Sequence, residues 1–185
     1  ADEFPPLPDN FDAVPEPLSR AIAKKHAGGE PQIGNWGEMH YRYYIWSYLR
    51  HVEMVDAELA RLLAALETMD MRRETVVIFT SDHGEMLGDH WLLGKRGYFD
   101  QAFQVPLIIR DPRATADGTR GRTVDAFTES VDVMPTILDW IDQDIPRQCD
   151  GYSLLPFCHD DPPSDWRTEV HWEYDFRDVR DVSVE

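Results

Sequence analysis

The chain of 185 residues has the length of one compact domain and the composition of a folded protein, with 42% hydrophobic and 29% charged residues. Its 18 basic and 35 acidic side chains give a net charge of −17, which disfavours nucleic acid as a partner. No apolar run is long enough for a membrane span, and the opening residues do not resemble a signal peptide. Cys149 and Cys158 allow at most one disulfide, so a reducing, cytoplasmic location is expected.

Residues 1–38 are rich in proline and glycine, which predicts an entry segment ahead of the folded part at 39–185. Apolar residues then recur at steps of three and four from Met39 to Leu66, which predicts one long amphipathic helix. Apolar runs at 75–80 and 105–110 predict buried strands of a parallel sheet, with Pro106 at a strand start or edge. The pattern predicts an α/β fold, a mainly parallel sheet sandwiched by helices.

Two further elements are expected in the second half of the chain. A helix is predicted over 132–142, with Pro135 tolerated in its first turn. Its buried side chains are expected to be Met134, Ile137, Leu138 and Ile141. Alternation of apolar and polar residues over 170–176 predicts a half-buried strand.

Polar residues with metal-binding chemistry follow the first predicted strand directly. Asp82 and His83 come just after Thr80, and ligands in open α/β sheets bind beyond the carboxyl ends of strands. A carboxylate with an imidazole suits Mn, Fe or Zn better than Mg. The alternative is that Ser81 or Asp82 caps a helix, with His83 merely nearby.

Two residues farther along add to this candidate site. Lys95 lies between two glycines, 12 residues beyond His83, and its ammonium is placed to meet an anionic group; the alternative is an ordinary exposed loop lysine. Asp89 and His90 form a second Asp-His pair. Spacing does not decide which pair binds metal, although the pair at the strand end is better placed for it. His90 is a candidate either for supporting the metal ligands from behind or for facing the substrate.

The run Thr-Val-Val-Ile-Phe-Thr-Ser-Asp-His-Gly-Glu from Thr75, followed by Leu-Gly-Asp-His and Gly-Lys, resembles the C-terminal part of the catalytic domain of sulfatases. These enzymes belong to the alkaline phosphatase superfamily. Within it the chain is most similar to phosphonate monoester hydrolases, which also cleave phosphodiesters. The likeness continues through Phe127–Trp140, Cys149–Phe157 and Asp165–Val179.

The resemblance implies an alkaline-phosphatase-like fold and a role for each matching residue. Asp82 and His83 would be ligands of one catalytic divalent metal, Mn²⁺, Ca²⁺ or Zn²⁺. Lys95 would be a catalytic residue that contacts a non-bridging oxygen of the substrate. The substrate would be a small anionic phosphonate monoester, phosphodiester or sulfate ester.

The chain departs from the family at the nucleophile. The family uses a formylglycine made from Cys or Ser in a Cys/Ser-x-Pro-x-Arg motif, but Cys149 is followed by Asp-Gly-Tyr-Ser and Cys158 by His-Asp-Asp-Pro. We therefore expect residues 39–185 to be the C-terminal part of a larger catalytic domain. Alone, the chain is expected to be inactive.

Two hypotheses remain from different classes. The first is a metal-dependent hydrolase that forms a homo-oligomer in its full-length form. The second is a non-catalytic acidic module that retains the fold and binds a protein partner. The ordered retention of Asp82, His83 and Lys95 favours the hydrolase.

Overall fold

The computed structural model describes residues 4–8, 36–95 and 99–171. The chain divides into two compact units. The first unit contains the chain up to Met71 together with Ser81–Pro106, and the second contains Arg72–Thr80 and the chain from Leu107 onward. The boundary placed between residues 38 and 39 stays a prediction.

The long helix of the first unit is confirmed. Helix α1 spans Glu38–Thr68, and the backbone N–H of Gly37 just before it donates to the His40 ring at 3.1 Å. Tyr41 and Ile45 are its buried residues, whereas many apolar side chains of the later turns are exposed. These include Leu49, Val52, Val55, Leu62 and Leu63. The described residues thus cover the apolar face mainly at its N-terminal end.

A short N-terminal segment packs on this end of α1. The guanidinium of Arg42 donates to the carbonyl oxygens of Phe4 and Pro5, at 2.6 and 2.9 Å. The Phe4 ring meets Tyr43 and Trp46 edge-on, with centroids about 6 Å apart. Backbone carbonyls and aromatic edges together fix this segment against the helix.

The two predicted strands are present, but they pair in the opposite sense to the prediction. Strand β1 covers Val77–Thr80 and β2 covers Leu107–Arg110, and they are antiparallel, with Thr80 opposite Leu107. Parallel pairing was therefore wrong for these strands. Within the described residues they are also only half-buried, and Ile108 is 61% exposed.

The described residues of the connection lack the long crossover helix that is typical of a parallel pair. A parallel pair needs a crossover, usually through a helix. In residues 81–95 and 99–106, which the structure describes, the helices are the three-residue 3-10 helix Asp89–Trp91 and the four-residue helix α2, Asp100–Phe103. The connection leaves β1 at Thr80 and enters β2 at Leu107, the residue opposite. An apolar run by itself carries no information about the direction of its partner.

Beyond β2, the described part of the second unit, which ends at His171, contains four short helices joined by irregular chain. These are the 3-10 helices Ala114–Thr119 and Ser130–Asp132, then α3, Val133–Trp140, and α4, Leu155–Cys158. Helix α3 confirms the predicted second helix and tolerates Pro135 in its first turn. Val170 and His171 are not in a strand, and the rest of the strand expected over 170–176 lies outside the described residues.

The buried face of α3 differs from the prediction. Met134 is 58% exposed, Ile137 39% and Ile141 47%, so their expected burial is wrong, while Leu138 is half-buried. Pro135 and Thr136 are buried instead. The Thr136 hydroxyl donates to the Asp132 carbonyl at 2.6 Å and accepts from the Leu154 N–H at 2.9 Å. The hydrogen bonds of Thr136, including the one from the chain just before α4, therefore accompany burial of the Pro135–Thr136 side of α3.

Asp132 is the centre of a buried charge cluster. Its fully buried carboxylate accepts the backbone N–H groups of Glu129, at 2.8 Å, and Tyr152, at 2.9 Å. Arg167 donates to both carboxylate oxygens, at 2.6 and 2.9 Å, and to Glu129 at 2.5 Å. The guanidinium also lies over the Tyr152 and Trp166 rings, 5.3 and 5.1 Å from their centroids. The buried charge is therefore paired and hydrogen-bonded, as burial demands.

A second buried carboxylate, Asp111, follows β2. It accepts from the Arg113 guanidinium at 2.7 and 2.9 Å, from the Trp140 indole at 3.2 Å and contacts the His159 ring at 2.8 Å. Burial by itself raises the pKa of Asp111, but the hydrogen bonds, led by those from Arg113, outweigh it and hold the pKa well below its usual range. The ionised form therefore stabilises this unit.

None of the described helices is long and apolar enough to cross a membrane. Both cysteines are free thiols.

Candidate functional site

The predicted metal-binding pair follows β1 directly. His83 Nε2 lies 3.6 Å from Asp82 Oδ2. The other ring nitrogen, Nδ1, is 2.7 Å from the Gly84 carbonyl oxygen, which can only accept, so Nδ1 donates there and the neutral form of the ring has its lone pair on Nε2. The side chain of Asp82 is 83% exposed and that of His83 is 35% exposed. Two donor atoms of the predicted types are thus close together and accessible.

The capping alternative is not realised. Residues 82–86 are not helical, and the next helical turn, Asp89–Trp91, begins after Gly88. The Ser81 hydroxyl donates instead to the His83 carbonyl at 2.8 Å, across a tight local turn. Neither Ser81 nor Asp82 caps a helix.

The pair fits a divalent cation by its donor set and its separation. Ligand atoms about 2.1 Å from one ion lie at most about 4.2 Å apart, so a separation of 3.6 Å is compatible with shared coordination. An oriented imidazole with its other nitrogen hydrogen-bonded to a carbonyl is also the usual form of a histidine ligand. Among the described residues, no group of three or more His, Cys, Asp and Glu side chains is placed to hold a metal. The described part of the chain therefore offers two ligands.

A closed loop joins this pair to Lys95. The Met86 N–H donates to the Gly94 carbonyl at 3.0 Å, and the Gly88 N–H donates to the Leu92 carbonyl at 2.9 Å. The chain after His83 thus turns back on itself and brings Gly94 beside Met86. Lys95, the next residue, is exposed. The lysine and the Asp82–His83 pair therefore belong to opposite ends of one loop.

His90 lies at the far turn of this loop. Its ring stacks on Phe99, with centroids 3.9 Å apart, and its backbone is left-handed, at φ 51°. Left-handed backbone at a non-glycine residue is costly and concentrates at functional sites. Phe99 packs in turn against a small core of Met86, Leu92 and Ala102. The structure thus gives His90 a packing role, and among the described residues it does not form a group of three potential metal ligands with Asp82 and His83.

Helix α1 supports the same loop. Gly88 has φ 99°, and a Cβ there would lie 3.0 Å from the Tyr41 ring. Tyr41 is 2% exposed, and burial raises the pKa of its phenol. Glycine is therefore required at this position both by the backbone and by the close approach of α1.

Sequence reasoning assigned no role to Glu85 and Phe99. The Glu85 carboxylate accepts hydrogen bonds from the backbone N–H groups of Gly94 and Leu87 inside the loop, and the Phe99 ring stacks on the His90 ring. Glu85 was visible as the acid after Asp-His-Gly, but its partner nine residues away was not. Phe99 gave no sequence signal beyond its apolar character.

Comparison with known proteins identifies the family. The chain matches the model of the Sulfatase family over residues 4–143. It is 50% identical over 133 residues to a multifunctional alkaline phosphatase superfamily protein, PehA, of Trinickia caryophylli, covering 72% of this chain and 26% of that protein. It is 35% identical over 136 residues to the N-acetylglucosamine-6-O-sulfatase of Bacteroides thetaiotaomicron, covering 72% and 24%. The chain therefore belongs to the sulfatase family.

Solved structures give the same assignment. The phosphonate monoester hydrolase of Agrobacterium radiobacter superposes with a TM-score of 0.79 at 34% identity, covering 95% of this chain and 36% of that one. A phosphonate monoester hydrolase from Silicibacter pomeroyi gives 0.69 at 36% identity, covering 89% and 33%. The fold is thus that of part of an alkaline-phosphatase-like hydrolase, which confirms the expected resemblance. The chain spans about a quarter of the two curated relatives and about a third of these solved chains.

Proposed function

We propose that this chain forms part of a metal-dependent hydrolase of phosphonate monoesters, phosphodiesters or sulfate esters. The observation that carries the proposal is the Asp82–His83 pair, with its donor atoms 3.6 Å apart and the tautomer of His83 set by Gly84. Membership of a family that includes sulfatases and phosphonate monoester hydrolases supports the reaction class. Relatives of both kinds match, so the substrate class is an anionic ester of either type.

Each residue has a distinct role in the proposal. Asp82 and His83 bind one divalent cation, Mn²⁺, Ca²⁺ or Zn²⁺, and this ion supplies charge neutralisation at the substrate oxygens when it is bound. Lys95 donates from its ammonium to a non-bridging oxygen, where negative charge accumulates as the ester bond breaks. His90 is proposed as a substrate-facing residue, held by its stack on Phe99. The nucleophile is proposed to be a formylglycine outside this chain.

The proposal also covers the partners and the compartment. The substrate is a small anionic ester, and neither nucleic acid nor a membrane is a proposed partner, in keeping with the net charge of −17. A homo-oligomer and a cytoplasmic location are proposed for the full-length protein. Size measurement of that protein, and its fractionation from cells, test these two points directly.

Substitution of His83 in the full-length protein tests the proposal. The variants are His83→Ala and Lys95→Ala, with His51→Ala as the matched control because His51 is an exposed histidine on α1. Hydrolysis rates are measured with three p-nitrophenyl substrates: p-nitrophenyl phenylphosphonate, bis(p-nitrophenyl) phosphate as the phosphodiester, and p-nitrophenyl sulfate. Bound metal is measured by elemental analysis.

We expect His83→Ala to lose metal and at least about 100-fold in kcat/KM, since even groups behind metal ligands are worth about 10–100-fold. Lys95→Ala should lose about 10²–10³-fold in kcat with metal retained. His51→Ala should match the unmodified protein. An unchanged rate of His83→Ala on all three esters would refute the role of His83 as a catalytic metal ligand. If the unmodified protein hydrolyses none of the three esters, the hydrolase proposal is refuted and the acidic protein-binding module is favoured.

A further inference from the structure

The loop between His83 and Lys95 is held at its base by a side chain that has no role in the proposed chemistry. The half-buried carboxylate of Glu85 accepts the Gly94 N–H at 2.6 Å and the Leu87 N–H at 3.3 Å, both through one oxygen. The Met86 N–H adds a hydrogen bond to the Gly94 carbonyl at 3.0 Å. The described residues thus hold Gly94 through its N–H and its carbonyl, and both partners belong to the first residues of the loop.

The first end of the loop is fixed by close packing. The Gly84 N–H donates to the Ala102 carbonyl at 2.8 Å, and a Cβ on Gly84 would lie only 2.0 Å from the Gln101 carbonyl oxygen. The neighbouring Met86 is fully buried. The backbone next to His83 therefore has little freedom, and it gives Glu85 a rigid base.

The intervening turn does not by itself fix the second end. Leu87, Gly88 and His90 all have positive φ, at 50°, 99° and 51°. Such conformations persist only when surrounding contacts over-determine them. An acceptor that ties the two ends together is the kind of contact this turn requires, and Glu85 supplies it at Gly94.

We propose that Glu85 is a positioning residue that holds the Lys95 end of the loop beside the His83 end, so that the lysine and the metal ligands act on the same substrate molecule. This inference rests on the proposed function. The Cα of Lys95 is about 3.8 Å from that of Gly94, so a restraint on Gly94 limits where the lysine side chain begins. Misplacement of a catalytic group by about 1 Å can cost about 10²-fold in rate.

Two substitutions of Glu85 in the full-length protein separate positioning from charge. Glu85→Ala removes the acceptor, whereas Glu85→Gln keeps a carbonyl oxygen that accepts the same N–H groups. We expect Glu85→Ala to lose about 10–100-fold in kcat, with retained metal content and a small change in KM, and Glu85→Gln to recover most of this rate. Glu58→Ala, which removes an exposed acid on α1, is the matched control. A Glu85→Gln variant as impaired as Glu85→Ala would overturn the inference.

A double-mutant cycle with Lys95 tests whether Glu85 acts through the lysine. The Glu85→Ala/Lys95→Ala protein should be no slower than Lys95→Ala, because a missing lysine leaves nothing to position. Hydrogen–deuterium exchange should be faster over 86–95 in Glu85→Ala and unchanged in Glu58→Ala. Equal fold losses in the presence and absence of Lys95, or a rate of Glu85→Ala within twofold of the unmodified protein, would overturn the inference.

The same experiments separate this inference from the proposed function. If His83→Ala and Lys95→Ala are slow while the Glu85 and Lys95 effects multiply independently, the hydrolase stands and the positioning role falls. If the unmodified protein hydrolyses none of the esters, the proposed function is refuted, and the positioning role is refuted with it.

Discussion

Removal of Arg167 tests how far the second unit depends on its buried charge cluster. The Arg167 side chain is 10% exposed, the Asp132 side chain is fully buried, and two hydrogen bonds of 2.6 and 2.9 Å join them. Arg167→Ala leaves the carboxylate with two backbone N–H donors and no counter-charge. Breaking a buried pair by removing one partner typically costs about 3–5 kcal/mol. We expect a loss of that size in the free energy of unfolding.

The matched control is an exposed ion pair of similar geometry. Arg61 contacts Glu58 at 2.7 Å, but their side chains are 76% and 68% exposed. Exposed pairs contribute about 0–1 kcal/mol, and pairs within one helix about 0.3–0.5 kcal/mol, because water screens them. Arg61→Ala should therefore be close to neutral.

Equilibrium urea unfolding followed by circular dichroism measures both variants. The double variant Asp132→Ala/Arg167→Ala should lose less than the sum of the two single losses, because removing both partners leaves no unpaired buried charge. A loss below about 1 kcal/mol for Arg167→Ala would refute the reasoning, as would equal losses for Arg167→Ala and Arg61→Ala.

Two further predictions concern the second unit. Gly151→Ala should destabilise the folded protein by about 1–3 kcal/mol or more, because the added Cβ would lie 2.2 Å from the Val131 carbonyl oxygen. Gly118→Ala, where the added Cβ meets open space, should leave the stability unchanged, and thermal unfolding of both variants checks this. Burial raises the pKa of Asp111, but hydrogen bonds, chiefly from Arg113, hold it below its usual range. The ionised Asp111 side chain therefore stabilises the folded protein fully above about pH 4, and this contribution is lost progressively as the pH falls below that. The stability difference between the unmodified protein and Asp111→Asn should therefore shrink between pH 6 and pH 3, and a constant difference would contradict the assignment.

The sequence predicted the elements and residues whose behaviour is local. Helix α1 repeats its apolar pattern over many turns, and the structure places it at Glu38–Thr68, close to the predicted range. Asp82 and His83 are adjacent, so their separation of 3.6 Å depends on only a few residues. Patterns contained within one element or one turn are visible in the sequence because short-range sterics and hydrogen bonds determine them.

Features that depend on distant partners escaped prediction. The strand direction depends on how the chain at 81–106 returns, and the inner face of α3 depends on a hydrogen bond from the Leu154 N–H to Thr136, 18 residues away. The Arg167 partner of Asp132 lies 35 residues along the chain. An apolar pattern alone favoured Ile137 for burial, but a satisfied polar contact determined the buried side of the helix.

At the Asp82–His83 pair, the types of donor atom and the strength of cation binding depend on different parts of the structure. A few adjacent residues determine that Asp82 offers an oxygen and His83 its Nε2, because Nδ1 of the His83 ring is hydrogen-bonded to the Gly84 carbonyl. They do not exclude water, since Asp82 is 83% exposed, and charge interactions weaken strongly at high dielectric. Two ligands in water bind a divalent cation weakly, whatever their geometry. The types of donor atom that the loop offers are thus a local property, whereas tight binding of a cation would require further ligands and a drier surrounding.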